Sequence, residues 1–409
     1  MKQNTETNPY LIIFPLWLLV FAASSQVMII APILPTIGVE LDTSESLLGN
    51  LITVYATLVG ICAILMGPIS DKIGRRKILL IGSSSMTIFL LLHGLANNFI
   101  SLLVLRACAG AAGGVLSGAA VSYVGDYFPY EKRGWANGWI MSGIAMGQIL
   151  GIPMGTFLAE WYGFKFPFVL FGAIMGLTSI LIYYKVPQPN VVLQITKITL
   201  STSFKKYRDL LRDRDIKAVA VSYLLMFLSL SIFLIYLPSW LTKEFDVSVS
   251  DIGWVFFAGG VVNAIAGPNA GKLSDKTGRK NMILISCFGL ATLMALTTYF
   301  VTSFWIAFIL FPIAMVLIAM RISPFQALSS ELVPASGRGT LMSLLVAIGN
   351  VGSGFAGTLA GPLFEEFGYI SNTMLGAFTI ILTAYIVWRY VPEPDLNTPI
   401  AQESLEIAE

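Results

Sequence analysis

The chain has 409 residues, of which 56% are hydrophobic and 12% are charged, and its formal net charge is +2. A typical soluble domain is about 25% charged, so this composition excludes a soluble globule. A helix that spans a bilayer needs about 20 mostly apolar residues. Such stretches occur at residues 10–34, 46–69, 78–97, 99–124, 135–158, 165–185, 218–241, 252–270, 281–301, 304–328, 339–362 and 371–391. We therefore predict twelve transmembrane helices.

The first stretch is too long for the apolar part of a signal peptide, and no small-residue cleavage site follows it. We interpret it as a retained helix. Basic residues then concentrate in alternate loops, which is the pattern of cytoplasmic loops. They include Lys72, Arg75, Arg76 and Lys77 after the second helix, and Lys272, Lys276, Arg279 and Lys280 after the eighth. Both termini are therefore predicted to be cytoplasmic.

Two sequence motifs recur at half the length of the chain. GPISDKIGR at residues 67–75 returns as GKLSDKTGR at 271–279, so both copies read GxxSDKxGR. DYFPYEKRG at 126–134 likewise matches ELVPASGRG at 331–339, at an offset one residue longer. Two motifs in nearly constant register indicate a duplicated membrane protein.

The repeat defines the domain organisation. We predict an N-terminal six-helix half at 1–185, a linker at 186–217, a C-terminal six-helix half at 218–391 and a polar, acidic tail at 392–409. In the linker, Phe204, Tyr207, Leu210 and Leu211 recur at helical spacing beside basic residues. This pattern fits a short amphipathic helix on the inner leaflet, and a solvated charged linker is the alternative.

The doubled GxxSDKxGR motif and the DYFPxxxRG loop resemble the major facilitator superfamily, over essentially the whole chain. The resemblance implies an all-α membrane protein with twelve transmembrane helices in two pseudo-symmetric six-helix halves. Arg106, in LRACAG, is similar to the arginine motif in the fourth helix of that superfamily. Gly143, Gly147, Gly151 and Gly155 resemble the glycine-proline motif of its drug and sugar antiporters, although Gln148 replaces the usual proline.

The repeated motifs are candidate gating elements on the cytoplasmic side. Glycine permits tight turns and close helix approach, and a carboxylate there can pair with arginine. The resemblance implies a latch between the halves; the alternative is a basic anchor that fixes orientation. The candidates are Gly67, Asp71, Gly74, Arg75, Asp126, Arg133, Gly271, Asp275, Gly278, Arg279, Glu331 and Arg338.

Glycine recurs every four residues in the fifth helix, from Gly143 to Gly155, and this spacing forms one flat face. Another helix can pack against such a face at backbone distance. A further hypothesis is that this face takes part in rocking of the halves. The three cysteines, Cys62, Cys108 and Cys287, lie in apolar runs and are expected to be small buried residues without metal spacing.

Arg106 and Arg321 are the only arginines away from the ends of the apolar runs, and no acidic residue lies in the middle of any run. Intramembrane charges are costly and usually functional. Two arginines without an acid favour an anionic or carboxylate-bearing solute; helix packing for Arg106 and an ion pair or snorkelling for Arg321 are the alternatives. The candidate solute-binding residues are Arg106, Arg321, Gln26, Gln148, Tyr236, Asn263, Gln326 and Asn350.

We therefore expect a secondary transporter, similar to the drug:proton antiporter-like group, that exports a small amphipathic or anionic solute by alternating access. Its partners would be the solute, the lipid bilayer and protons, with no cofactor, metal or nucleic acid, and it would act as a monomer in the inner membrane. Import or uniport of an organic acid, amino acid or nucleoside is the alternative. A lipid-moving or non-transporting protein is the alternative of another class. An enzyme is not expected, because no acid-base constellation occurs.

Overall fold

The structure, a computed structural model, describes residues 8–189 and 207–393. Within its helices, only the backbone is described at Gly67, Pro68, Asp71, Tyr130, Ala335 and Ser336. The described chain contains twelve helices long and apolar enough to cross a membrane. This finding confirms the predicted all-α membrane fold with its twelve spans.

The spans are numbered in chain order. The first six are α1 (Tyr10–Met28), α2 (Glu45–Met66), α3 (Arg75–Leu95), α4 (Phe99–Tyr127), α5 (Glu131–Tyr162) and α6 (Lys165–Lys185). The second six are α7 (Arg214–Phe245), α8 (Val249–Thr277), α9 (Arg279–Phe300), α10 (Phe304–Glu331), α11 (Gly337–Phe367) and α12 (Tyr369–Tyr390). A shorter apolar helix, Ile30–Glu40, follows α1.

Several spans are longer than the apolar stretches that predict them. The fifth span was expected at 135–158 and extends over Glu131–Tyr162, and the eighth extends to Thr277 instead of residue 270. The hydrocarbon core is only about 30 Å of a bilayer about 40–45 Å thick with its headgroups. The helices therefore continue through the polar interface, where hydropathy no longer marks them.

Several spans contain a local interruption. In α4, Gly118 has φ +72° and separates Phe99–Leu116 from Ala119–Tyr127. In α5, Gly147–Gly151 forms a π-helical turn, a feature often found at functional positions. In α7, the helix stops at Ile235 and resumes at Leu237, just before Pro238, which cannot donate a backbone hydrogen bond.

The chain divides by its internal contacts into two compact units. Unit 1 comprises Met1–Ser44, Asn50–Ile198 and Val247–Phe257, and unit 2 comprises Glu45–Gly49, Thr199–Asp246 and Ala258–Glu409. Each unit therefore holds one half of the repeat together with a short segment from the other half of the sequence. Most of the predicted linker, including Phe204, lies outside the described residues, as does most of the predicted tail; one helical turn is seen at 207–210.

The glycine face of α5 packs directly on α1 within unit 1. A Cβ atom at Gly151 would lie 2.2 Å from the hydroxyl oxygen of Ser25, and one at Gly155 would lie 2.6 Å from Ile29. A Cβ at Gly143 would lie 2.9 Å from the carbonyl oxygen of Trp17. The predicted close packing of this face is thus confirmed, and its role in rocking stays a prediction.

Candidate functional site

Arg106 is the centre of a buried polar cluster in unit 1. Its Nη1 donates a hydrogen bond of 3.0 Å to Oε1 of Gln26, and the Nε2 of Gln26 donates one of 2.7 Å to the hydroxyl of Tyr55. The guanidinium also lies over the Tyr55 ring, 4.2 Å from its centroid. All three side chains are buried. The positive charge is therefore shared between an amide oxygen and an aromatic face, with no carboxylate involved.

His93 lies beside this cluster, at the end of α3, and is fully buried. Its ring centroid is 4.5 Å from that of Phe168, whose ring also approaches the Arg106 guanidinium at 5.8 Å. The Nδ1 atom is 2.6 Å from the carbonyl oxygen of Phe89 and so acts as the donor, which leaves Nε2 without a hydrogen-bond partner in the described part of the chain. The hydrogen bond to Phe89 and the contact with Phe168 together fix the orientation of the imidazole ring.

Arg321 in α10 is buried in unit 2 in a different way. Its side chain has no solvent exposure, and among the described residues none of its Nε, Nη1 and Nη2 atoms has a hydrogen-bond partner. The ionisable group adjacent to it is the thiol of Cys287 in α9, which is equally buried. Unit 2 thus carries a cation at membrane depth with only a weakly polar neighbour.

The first copy of the repeated motif forms an ion pair within unit 1. Arg75 donates from Nε to Oδ2 of Asp126 at 2.7 Å and from Nη1 to the hydroxyl of Ser70 at 2.7 Å. Gly74, just before it, has φ +95°, a conformation that side chains disfavour. Arg133 in the second motif donates to the carbonyl oxygen of Phe128 at 3.0 Å.

The second copy forms the matching ion pair within unit 2. Arg279 contacts Glu331, the counterpart of Asp126, and also Oδ1 of Asp275 at 3.1 Å. Gly278 has φ +91°, as Gly74 does in the first copy. The predicted tight turns are therefore present in both units, and each motif arginine binds the acid of the second motif in its own unit.

The remaining gating candidates include Gly271 and Arg338 in unit 2. A Cβ at Gly271 would lie 3.1 Å from the hydroxyl of Ser323. Arg338 is half-buried, and its Nε has no hydrogen-bond partner in the portion of the chain that is described. Only the backbone is described at Gly67 and Asp71, so their gating roles stay predictions.

Tyr236 belongs to a second polar cluster in unit 2, which we name the Glu45 knot. Its hydroxyl donates to the carbonyl oxygen of Glu45 at 2.5 Å and accepts from the backbone N–H of Gly49 at 2.9 Å. Lys243 Nζ is 3.1 Å from the Glu45 carboxylate, and Glu365 accepts from the N–H of Ser46 at 2.8 Å. Both hydrogen-bonding functions of the Tyr236 hydroxyl are thus used inside the protein, so a direct solute contact would require breaking this knot.

Unit 1 contains a smaller counterpart of the knot. The Oε2 atom of Glu160, near the end of α5, accepts a hydrogen bond of 2.7 Å from the backbone N–H of Ser250 at the start of α8. A Cβ at Gly253 would lie 2.1 Å from the hydroxyl of Thr156, so only glycine permits this approach. In each unit, a glutamate therefore fixes the segment contributed by the other half of the sequence.

The remaining predicted solute contacts are dispersed. Gln148 lies in the π-helical turn of α5 and Asn263 in α8, and both are half-buried and engaged in contacts. Gln326 is exposed in α10 beside Tyr223. The side-chain amide of Asn350 donates to the carbonyl oxygen of Val346 within α11 at 2.9 Å. Of the predicted set, only Gln26 and Arg106 are in direct contact in these hydrogen bonds.

Sequence reasoning missed Tyr55, Lys243 and the acids that anchor the Glu45 knot. Tyr55 lies in the second apolar run, and nothing in the hydropathy of that run indicates that the Arg106 guanidinium lies beside it. Cys287 is buried as expected, whereas Cys62 and Cys108 are half-buried, and all three are free thiols. Within the described ranges, no group of His, Cys, Asp and Glu has a metal-binding arrangement.

The sequence profile of the Major Facilitator Superfamily matches residues 16–240 and 219–408. The chain therefore belongs to this family of multi-pass membrane transporters, and its members are not enzymes, as predicted. It is 23% identical to the uncharacterized MFS-type transporter YceJ of Bacillus subtilis, covering 90% of this chain and 95% of that protein. It is 26% identical to the multidrug resistance protein MdtG of Proteus mirabilis, covering 90% of each.

The fold is also shared with a solved transporter structure. The crystal structure of a D-xylose-proton symporter superposes with a TM-score of 0.76 and 21% identity, over 93% of this chain and 97% of that one. At this low sequence identity, the superposition shows a shared fold. It confirms the predicted architecture of twelve transmembrane helices.

Proposed function

We propose that this transporter exports a small amphipathic or anionic organic solute by alternating access, in exchange with protons. The observation that carries the proposal is the charge inventory of the spans. Each unit buries one arginine at membrane depth, Arg106 and Arg321. In the described spans, every acidic residue lies near a span end.

This charge distribution favours an anion over a cation. A buried guanidinium attracts a carboxylate and binds it through two parallel hydrogen bonds. A cationic drug would instead require a buried carboxylate, because a desolvated cation without a counterion is costly. The transported solute supplies the negative charge that the helices themselves do not.

Other observations support export as the direction of transport and protons as the coupled ion. The relative from Proteus mirabilis is named a multidrug resistance protein, which favours export. Basic residues beside the repeated motifs favour a cytoplasmic position for both termini and insertion in the inner membrane. Proton exchange would use His93 or the carboxylates at the predicted cytoplasmic span ends, such as Asp126 and Glu331. We further propose that one chain is the functional unit.

Flux through purified protein in proteoliposomes tests the proposal. Vesicles would be loaded with an aromatic carboxylate or with an aromatic ammonium of the same size, and efflux would be followed with and without an imposed pH gradient. We expect carboxylate flux that the pH gradient accelerates. Flux of the ammonium alone would refute the anion specificity, and flux insensitive to the gradient would refute the proton exchange.

A further inference from the structure

We infer that Arg321, and not Arg106, binds the anionic group of the solute, and that Cys287 forms one wall of this subsite. The inference rests on the proposed function and makes it more specific, because it divides two arginines that composition alone treats as equivalent. It assigns Arg106 a positioning role in unit 1.

Arg106 already has internal partners. One hydrogen bond goes to Gln26, whose other end is fixed by the hydroxyl of Tyr55, and the guanidinium stacks over the Tyr55 ring. An incoming anion would have to displace this amide oxygen and this aromatic face. The cluster therefore holds α1, α2 and α4 together, and it provides Arg106 with polar and aromatic partners without a ligand, although the Nε of Arg106 has no hydrogen-bond partner among the described residues.

Arg321 has none of these partners. None of its three guanidinium nitrogens has an oxygen or nitrogen hydrogen-bond partner in the described part of the chain, and the adjacent thiol of Cys287 is only a weak one, although the side chain is completely buried. Desolvation of an ion is expensive unless a partner returns the lost interaction energy. Snorkelling to the membrane surface is also absent, because a snorkelling head group would be exposed. The buried cation therefore fits a site that a ligand completes.

The nearest acid along α10 cannot complete it. Glu331 lies ten residues further along the same helix, about 15 Å at 1.5 Å per residue. Its carboxylate is already bound to Arg279, which also holds Asp275. The described acids nearest to Arg321 along α10 are therefore engaged elsewhere, and the transported solute is the source of negative charge that fits this position.

The surroundings of Arg321 define the kind of anion. Ile318 and Phe325, at i−3 and i+4, share its helix face and are buried hydrophobic residues. The thiol of Cys287 is small and only weakly polar. A single planar or tetrahedral anionic group on an apolar body fits this combination, so the ligand class is a monoanionic amphipathic carboxylate or sulfonate.

Cys287 provides a direct test with reagents of opposite charge. In a variant carrying Cys62→Ser and Cys108→Ser, Cys287 is the only thiol, because the chain has three cysteines. The purified protein would be treated with sulfonatoethyl methanethiosulfonate, an anion, or with trimethylammonioethyl methanethiosulfonate, a cation. The rate of each modification would be measured by intact-protein mass spectrometry.

We expect the anionic reagent to modify Cys287 faster than the cationic one, and Arg321→Gln to lower this rate ratio about tenfold or more. The ratio cancels any change in the general reactivity of the thiol. Arg321→Lys should keep most of the preference, and Arg106→Gln should leave the ratio unchanged. In a matched control that keeps only Cys62, Arg321→Gln should not alter the ratio.

A second measurement remains informative if Arg321→Gln does not fold. With Arg321 intact, excess benzenesulfonate should slow the modification of Cys287, and benzyltrimethylammonium should not. A rate ratio near one, absence of modification by the anionic reagent, or equal protection by both competitors would overturn the subsite. Charge-selective labelling without any flux in proteoliposomes would instead retain the subsite and refute the proposed transport.

Discussion

Substitution of Tyr236 by phenylalanine would remove one oxygen atom from the Glu45 knot and leave its packing intact. The ring of Tyr236 stacks on Phe364 with 5.0 Å between centroids, and phenylalanine would keep this contact. The lost hydroxyl donates to the carbonyl oxygen of Glu45 and accepts from the N–H of Gly49. The change therefore isolates two hydrogen bonds that dock the Glu45–Gly49 segment.

The expected loss of docking free energy follows from the number of hydrogen bonds removed. Each hydrogen bond contributes about 1 kcal/mol net, so the docked state should lose about 2 kcal/mol, equivalent to about a 30-fold rise in undocking. The salt bridge between Lys243 and Glu45 adds less, because Lys243 is largely exposed. We therefore expect the Tyr236 hydroxyl to make the largest polar contribution to docking of the Glu45–Gly49 segment.

Hydrogen exchange measured by mass spectrometry reports this opening directly. We expect amide exchange in residues 45–49 to accelerate about 30-fold in Tyr236→Phe, the factor that two lost hydrogen bonds predict. Tyr369→Phe is the matched control, because its hydroxyl donates at 2.6 Å to the carbonyl oxygen of Phe233 in the same unit. Unchanged exchange in 45–49, or the same acceleration in both variants, would refute the reasoning.

Two further predictions concern unit 1. Gly151→Ala places a Cβ 2.2 Å from the hydroxyl oxygen of Ser25 and should destabilise the protein by about 1–3 kcal/mol; Gly138→Ala on the same span meets nothing within 4 Å and should be neutral or stabilising. Equal unfolding midpoints for the two variants in denaturant would contradict this packing. Gln26→Leu removes the acceptor of Arg106 and should cost about 1.5–3 kcal/mol, the range for a hydrogen bond to a charged group. Gln26→Glu keeps an acceptor and should be better tolerated in the same unfolding assay, so a reversed order would contradict the positioning role.

The positions of the helices could be predicted because hydropathy is a local property. A run of apolar residues determines where the chain can cross a bilayer, whatever its neighbours are. The motif turns were equally local: Gly74 and Gly278 precede the arginine of each copy, and both have positive φ. The pairing of each motif arginine with the acid of the second motif was not predicted, because only the tertiary structure brings the two motifs together.

The contacts of the candidate site depend on which helix faces meet, and only the tertiary structure decides this. Gln26 and Arg106 are 80 residues apart, and nothing in either stretch indicates that one would satisfy the other. The sequence predicted two equivalent intramembrane arginines; packing gave Arg106 an amide and an aromatic ring, and gave Arg321 a thiol. The Glu45–Gly49 segment likewise joins unit 2 through contacts with residues far along the chain. Composition determined how many charges enter the membrane, and three-dimensional packing determined which of them has only a weakly polar neighbour among the described residues.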